Sequence, residues 1–195
     1  MNASRETTDR FKLYLNLLRK WSPKINLVSK ASLADAGKRH FSDSLQLVEL
    51  CPVPPAHWVD LGSGAGFPGA VVAIALARTH TRVTLVESDQ RKAAFLRTVS
   101  RETNVPFDVV ANRIESLDPL EADVLSARAL APVDVLLEFT NRHMKKNGTA
   151  FFPKGETWAN EVAHAEKQWR FSLEVHKSKT NANAAILQIG DLSRV

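Results

Sequence analysis

One segment, residues 59–69, restricts the possible folds more than any other part of the sequence. It places Gly62, Gly64 and Gly66 between a short apolar stretch and an apolar helical stretch that begins near Pro68. Glycine permits positive φ and lets a ligand approach the backbone closely. A glycine-rich turn between a strand and a helix lies at the carboxyl edge of a parallel sheet, where open α/β folds bind ligands. The segment therefore predicts an α/β fold with a ligand site at this turn.

The rest of the chain alternates short apolar runs with amphipathic segments. These predict strands at 57–61, 82–87, 107–111, 122–126, 148–153, 171–177 and 184–190, and helices at 5–21, 32–50, 68–78, 89–102, 133–142 and 156–169. Such alternation is typical of a doubly wound, mostly parallel sheet. Because the alternation starts after the proline-rich stretch 51–55, we expect residues 1–50 to form an N-terminal helical appendage and residues 51–195 to form a Rossmann-like, ligand-binding domain.

The spacing within the turn distinguishes two ligand classes. Dinucleotide sites use G-x-G-x-x-G, which lets a helix N-terminus hold the pyrophosphate, whereas this turn follows G-x-G-x-G directly after Asp60. A carboxylate suits a cationic ligand such as S-adenosyl-L-methionine and would repel a pyrophosphate. Glu87 ends the next strand, where an acid accepts hydrogen bonds from ribose hydroxyls. These residues favour a methyltransferase over a nicotinamide-dependent oxidoreductase.

The net charge of +5 is concentrated at the N-terminus. Residues 1–50 carry nine Lys and Arg against five Asp and Glu, residues 51–150 carry eleven of each, and residues 151–195 carry six against five. This basic excess is compatible with attraction to a phosphate backbone. There is no apolar stretch of membrane-spanning length, and one cysteine with scattered histidines gives no metal-ligand spacing. We therefore expect a cytoplasmic protein without metal or membrane contact.

A series of short motifs extends along nearly the whole chain. In order, they are WSPKINL (21–27), RHFSDSL (39–45), DLGSGAGFPG (60–69), ES (87–88), KAAFLR (92–97), RIE (113–115), SARA (126–129) and KG (154–155). In this order the chain resembles the bacterial guanine-N7 methyltransferases of small-subunit ribosomal RNA, also called the glucose-inhibited division protein B family. The resemblance implies a Rossmann-like class I methyltransferase fold, S-adenosyl-L-methionine as cofactor, and 16S ribosomal RNA, in the small subunit or its precursor, as substrate.

The resemblance and the turn together supply candidate site residues. The cofactor-binding candidates are Asp60, Gly62, Gly64, Gly66, Phe67, Glu87, Ile114, Glu115 and Arg128, and the RNA-binding candidates are Arg39, His40, Lys92, Arg97 and Lys154. Guanine N7 has a free lone pair and needs no deprotonation, so catalysis depends on alignment and on groups that stabilise charge moving onto the purine. Asp43 and Arg128 are the catalytic candidates.

Two alternatives on the same fold remain open. A small-molecule methyltransferase would share the glycine turn, and its basic N-terminal region would be incidental. A non-catalytic RNA-binding or assembly factor would keep the fold without turnover. Incorporation of labelled methyl groups into small-subunit RNA, compared with a metabolite pool, separates these alternatives. A chain of 195 residues is expected to act as a monomer.

Overall fold

The computed structural model describes residues 4–29 and 36–195, and the side chains of residues 36–39 lie outside this description. The helices are α1 Arg5–Ile25, α2 Ala36–Leu50, α3 Gly69–Ala75, α4 Gln90–Thr103, α5 Val133–His143 and α6 Trp158–Ala165, with a 3-10 helix at Ile114–Ser116. The strands are β1 His57–Leu61, β2 Arg82–Val86, β3 Asp108–Val110, β4 Ala122–Ala127, β5 Met144–Lys154, β6 Trp169–Lys177 and β7 Ala185–Arg194. Strands and helices therefore alternate from β1 to α6, as the sequence predicts.

The strands form one sheet with the order β3-β2-β1-β4-β5-β7-β6. The first five strands pair in parallel, whereas β7 is antiparallel to both β5 and β6. The chain moves outward in one direction from β1 to β3 and then returns to the other side of β1 with β4. The loops that leave β1 and β4 consequently diverge, and a crevice opens between them at the carboxyl ends of the strands.

Two apolar layers cover the two faces of the sheet. Helices α1 to α4 pack on one face, and α5 and α6 pack on the other. Alternate side chains of β1 enter the two layers, with Trp58 in the first layer and Val59 in the second. Tyr14 and Leu18 of α1 are completely buried in the first layer. The N-terminal helices therefore share a continuous core with the sheet.

Two helix ends differ by four residues from the sequence prediction, and α3 ends at Ala75 rather than at the expected residue 78. The expected end of α1 at Ser22 and Pro23 is wrong, because the helix continues to Ile25 and is closed by Asn26 in the left-handed conformation. Pro23 lies in the last turn, where its missing N–H removes a single backbone bond. The predicted helix over 156–169 is also too long, since Trp169 starts β6 with only 2% of its surface exposed. Burial in the sheet layer outweighs the helical pattern there.

Candidate active site

Asp60 supports the glycine turn from inside the protein. Its Oδ2 accepts a hydrogen bond from the Gly69 backbone N–H at 3.1 Å, and its Oδ1 accepts one from the Ser126 hydroxyl at 2.7 Å. The Ser126 oxygen in turn accepts the indole N–H of Trp58 at 3.0 Å. Burial raises the pKa of Asp60 to about 6, against the opposing effect of its hydrogen bonds and of Arg128. Asp60 thus ties β1 to β4 and to the start of α3.

This geometry corrects two of the predicted cofactor contacts. Asp60 has no exposed surface and does not line the pocket in front of the turn. Gly66 does not line it either, and a Cβ on Gly66 would lie 2.4 Å from the Tyr14 hydroxyl oxygen. Both residues support the turn from its buried side. The carboxylate of Asp60 needs hydrogen-bond donors inside the protein, and Gly66 leaves the space that α1 needs for its close approach. The structure therefore does not support a direct contact of either residue with the cofactor.

The other two glycines of the turn face outward. Gly62 and Gly64 have φ angles of 65° and 57°, and both line the pocket. A Cβ on Gly64 would meet only the Gly62 carbonyl oxygen, at 3.8 Å. The space in front of Gly64 is therefore open, and a ligand can reach its backbone.

Tyr14 of α1 is a contributor that the sequence pattern did not reveal. Its hydroxyl donates a hydrogen bond of 2.5 Å to the Ala65 carbonyl oxygen within the turn, and its ring stacks on Phe67 with the centroids 5.5 Å apart. Burial raises the pKa of the Tyr14 hydroxyl well above its ordinary value. Helical spacing identifies Tyr14 as an apolar-face residue of α1, but only the packed structure shows that α1 holds the turn.

Glu87, at the end of β2, holds the opposite side of the turn. Its Oε2 accepts the Gly64 N–H at 2.7 Å, and its Oε1 accepts the Asp89 N–H at 2.8 Å. A carboxylate oxygen has two lone pairs, so each oxygen retains one acceptor site. Glu87 is 7% exposed and lines the pocket. The fixed carboxylate is therefore suited to two adjacent hydroxyl groups, as the ribose of S-adenosylmethionine presents.

A pocket of about 570 Å³, here called the cofactor pocket, opens in front of the turn. Its lining consists of 62–65, Phe67, 86–88, Lys92, 112–115, 128–131, Val135, Phe139, Leu27 and Val28. The volume falls within the range of about 300–1,000 Å³ that is usual for small-molecule sites. The open backbone at Gly64, the Glu87 carboxylate and the apolar Ile114 together fit a nucleoside. Ile114 and Glu115, both cofactor-binding candidates, line this pocket. Glu115 is exposed at its rim.

The 3-10 segment that carries Ile114 is held by the end of α5. The Nε2 of His143 is 3.2 Å from the Ile114 carbonyl oxygen, and Arg142 donates to the Leu117 carbonyl oxygen at 2.6 Å. His143 is completely buried, and this burial lowers its pKa, so the ring is neutral and donates through Nε2. These two consecutive residues fix one wall of the cofactor pocket. Sequence analysis did not identify them, because they lie far along the chain from the segment they hold.

Arg128 lies at the boundary between two pockets. Its guanidinium carbon is 5.2 Å from the centroid of the Phe67 ring, and its Nη1 is 3.1 Å from Nδ1 of His40. The second pocket, of about 410 Å³, lies on the α2 side. It is lined by His40, Asp43, Gln46, Arg128, Ala129, 153–155, Glu161, Ser178, Thr180, Asn181 and 184–186. Arg128 and Ala129 line both pockets, so the two spaces adjoin.

The predicted RNA-binding residues with described side chains, His40, Lys92, Arg97 and Lys154, are divided between the two pockets and the exposed surface of α4. His40 lies in the second pocket, whereas Lys92 lines the cofactor pocket. Arg97 is exposed on α4, and its guanidinium donates to a backbone carbonyl oxygen at 3.3 Å. The side chain of Arg39 lies outside the described residues. Of this set, His40 contacts Arg128.

Lys154 requires a correction. Its ammonium lies 2.6 Å from a carboxylate oxygen of Glu161 and donates to the Ala131 carbonyl oxygen at 2.9 Å. The side chain is only 9% exposed. A phosphate contact would have to break this internal ion pair and leave Glu161 without its counter-ion. The structure therefore assigns Lys154 to an internal ion pair in the wall of the second pocket rather than to a phosphate contact.

No helix within the described ranges, 4–29 and 36–195, has the length and apolar character needed to cross a membrane. Within the same ranges, no group of three His, Cys, Asp or Glu side chains is arranged to hold a metal ion.

The sheet order, the antiparallel β7 and the glycine turn facing a nucleoside-sized pocket define a class I S-adenosylmethionine-dependent methyltransferase fold. Among solved structures, an O-methyltransferase from Bacillus cereus in complex with SAH is similar to this chain, with a TM-score of 0.63. The similarity covers 93% of this chain and 90% of that chain at 10% sequence identity, so it concerns the fold alone. The predicted fold class is confirmed.

A sequence profile described as rRNA small subunit methyltransferase G matches residues 7–189. The ribosomal RNA small subunit methyltransferase G of Ruegeria pomeroyi is 50% identical, over 100% of this chain and 96% of the relative. The protein of the same name in Paracoccus denitrificans is 48% identical, over 98% of each chain. This chain belongs to the rRNA small subunit methyltransferase G family. The predicted family, enzyme class and cofactor, S-adenosylmethionine, are thereby confirmed.

Proposed function

We propose that this protein transfers the methyl group of S-adenosylmethionine to N7 of one guanine in 16S ribosomal RNA, in the small subunit or its precursor. The observation that carries the proposal is the cofactor pocket, in which Glu87 and the open backbone of Gly64 face a nucleoside-sized space in a chain of this family. We further propose that the protein acts as a monomer in the cytoplasm, the compartment that contains its ribosomal RNA substrate.

The cofactor pocket divides its tasks among a few residues. Glu87 would accept hydrogen bonds from the two ribose hydroxyls through the lone pairs that the backbone bonds leave available. Ile114 and Glu115 would border the adenine, with Ile114 supplying apolar contact. Gly62 and Gly64 would lie against the remainder of the cofactor, and Phe67 separates it from α2. Bound in this way, S-adenosylmethionine supplies an electrophilic methyl group on a positively charged sulfur.

Methylation of guanine N7 does not require the protein to remove a proton from the base before attack. N7 attacks through a lone pair that is already free, so no side chain has to act as a general base. Rate enhancement then comes from holding N7 in line with the methyl group, an orientation effect worth up to several kcal/mol. Arg128 is suited to this alignment, because Phe67 and His40 fix its guanidinium where the two pockets meet.

A labelling experiment tests this proposal. The purified protein is incubated with methyl-labelled S-adenosylmethionine in three separate reactions. One contains deproteinised 16S RNA, one contains small subunits, and one contains a metabolite pool. N7-methylguanosine is then located by reduction and aniline cleavage of the RNA strand. We expect label in RNA and cleavage at one guanine, with both signals lost in Glu87→Ala.

Each alternative gives a different result in the same experiment. Label in the metabolite pool, with none in RNA, would favour a small-molecule methyltransferase. RNA binding without any transfer would favour an assembly factor. Label in RNA at a position other than guanine N7 would contradict the proposed site of methylation while retaining the enzyme class.

A further inference from the structure

The second pocket has the position that a substrate base requires. It adjoins the cofactor pocket at Arg128 and Ala129, which line both. Its volume of about 410 Å³ is ample for one purine. A base lying there can therefore direct one edge into the cofactor pocket while the rest of its ring stays in the second pocket.

Guanine has an arrangement of polar groups that restricts how it can lie in this space. O6 is next to N7, so a guanine whose N7 faces the cofactor brings O6 to the boundary between the pockets. The Arg128 guanidinium lies at that boundary and carries N–H donors for O6. Adenine has an amino group at the same position, which would place a donor against a donor.

Asp43 supplies the complementary group within the second pocket. Its Oδ1 accepts hydrogen bonds from the Thr180 hydroxyl and, at 3.4 Å, from the Gln46 amide. Among the described residues none donates to Oδ2. Guanine presents N1–H and the 2-amino group side by side, and the two lone pairs of Oδ2 can accept both, whereas adenine offers an acceptor at N1 and no group at position 2. The negative charge of Asp43 also favours the positively charged methylated base.

The loop between β6 and β7 contacts α2 at Asp43 and at two further residues of the same helix. Besides the bond from Thr180, the Lys179 backbone N–H donates to Oε1 of Gln46 at 2.8 Å. The Lys179 ammonium also contacts Glu49 at 2.5 Å. Three residues on one side of α2 are thus docked to this loop. The loop forms the outer wall of the second pocket through Ser178, Thr180 and Asn181.

We propose that the second pocket is the site of the target base, and that Asp43 selects guanine by accepting hydrogen bonds from its N1–H and 2-amino groups while Arg128 donates to O6. This inference rests on the proposed function and specifies its substrate-recognition residues. It makes Asp43 a specificity-determining residue rather than a surface acid of α2.

The test compares two matched substitutions on α2. Asp43→Asn replaces an acceptor with a group that also presents N–H donors, and we expect kcat/KM for 16S RNA to fall about 10- to 100-fold, the range for a lost bidentate base contact. The dissociation constant of S-adenosylmethionine should stay within about twofold, as expected for a group outside the cofactor pocket. Glu49→Gln makes the same chemical change against the same loop but outside the pocket, and its kcat/KM should stay within about twofold.

A modified substrate separates base recognition from loop docking. A 16S RNA ligated to carry inosine at the methylated position lacks only the 2-amino group. Wild-type enzyme should methylate it about tenfold more slowly than the guanine RNA, and Asp43→Asn should reduce this ratio to about two or less, because the carboxylate that reads the amino group is gone.

The outcomes distinguish the two proposals. If wild-type protein methylates no RNA, the proposed function fails whatever Asp43 does. If it methylates guanine and inosine RNA equally, or if Asp43→Asn keeps wild-type kcat/KM, the assignment of Asp43 is overturned. An equal loss in Glu49→Gln would also overturn it, since loop docking would then explain the effect. The wild-type guanine-to-inosine ratio decides the matter even if Asp43→Asn does not fold.

Discussion

Asp60 gives this protein a contribution to stability that depends on pH. The carboxyl group is fully buried beneath the glycine turn, and burial raises its pKa from 3.8 to about 6. Because the folded state holds the proton more tightly than the unfolded state, the stabilisation is fully present below about pH 4 and is lost as the pH rises through about 6. A shift of about two units corresponds to about 3 kcal/mol in the free energy of unfolding.

The substitution Asp60→Asn removes this titration while it preserves the size of the side chain. The free energy of unfolding of the wild type minus that of the variant should fall by about 2 to 3 kcal/mol between pH 4 and pH 8. Urea unfolding followed by circular dichroism at each pH measures both terms, and the subtraction cancels the titration of all other groups.

Asp123 provides a control of opposite sign. Its hydrogen bond to the Lys145 ammonium lowers its pKa, so its stabilisation is present above the unfolded pKa and is lost as the pH falls. The corresponding difference for Asp123→Asn should therefore rise with pH, mainly below about pH 4, where this carboxyl group titrates. A difference for Asp60→Asn that stays constant within about 0.5 kcal/mol, well below the expected 2 to 3 kcal/mol, would refute the account of a buried, protonatable anchor beneath the turn.

Four further substitutions test the turn itself. Glu87→Gln loses the charge and one of the two backbone bonds, so calorimetry should show a dissociation constant for S-adenosylmethionine about tenfold higher; an unchanged constant would contradict the ribose contact. Tyr14→Phe leaves the Ala65 carbonyl oxygen without its donor and should lower the free energy of unfolding by about 1–3 kcal/mol in urea titrations; a loss below about 0.5 kcal/mol would argue against that bond. Gly66→Ala, which meets the Tyr14 oxygen at 2.4 Å, should lower Tm far more than Gly64→Ala, which meets an oxygen at 3.8 Å, and equal losses would count against this packing.

The sequence alone determined the architecture around the turn. Glycine spacing in 59–69 and the apolar runs on either side predicted a strand, a ligand-binding turn and a helix, and β1, α3 and the cofactor pocket lie there. Glu87 was placed correctly at the edge of the pocket, because a residue that ends a parallel strand next to β1 reaches the same edge of the sheet. Such features follow from local periodicity and backbone preference, which depend on residues that are close together in the sequence.

Tertiary packing sets the direction in which these side chains face and the distant residues that support them. The sequence pattern predicts that Asp60 contacts the ligand, yet Ser126 and Gly69 hold it inside the protein. Tyr14 bonds to a turn 51 residues away, and Arg128 meets His40 across 88 residues. Contacts of this kind depend on the order of the strands and on the faces that helices bury. The chain encodes them through the packing of the whole core, and no local pattern displays them.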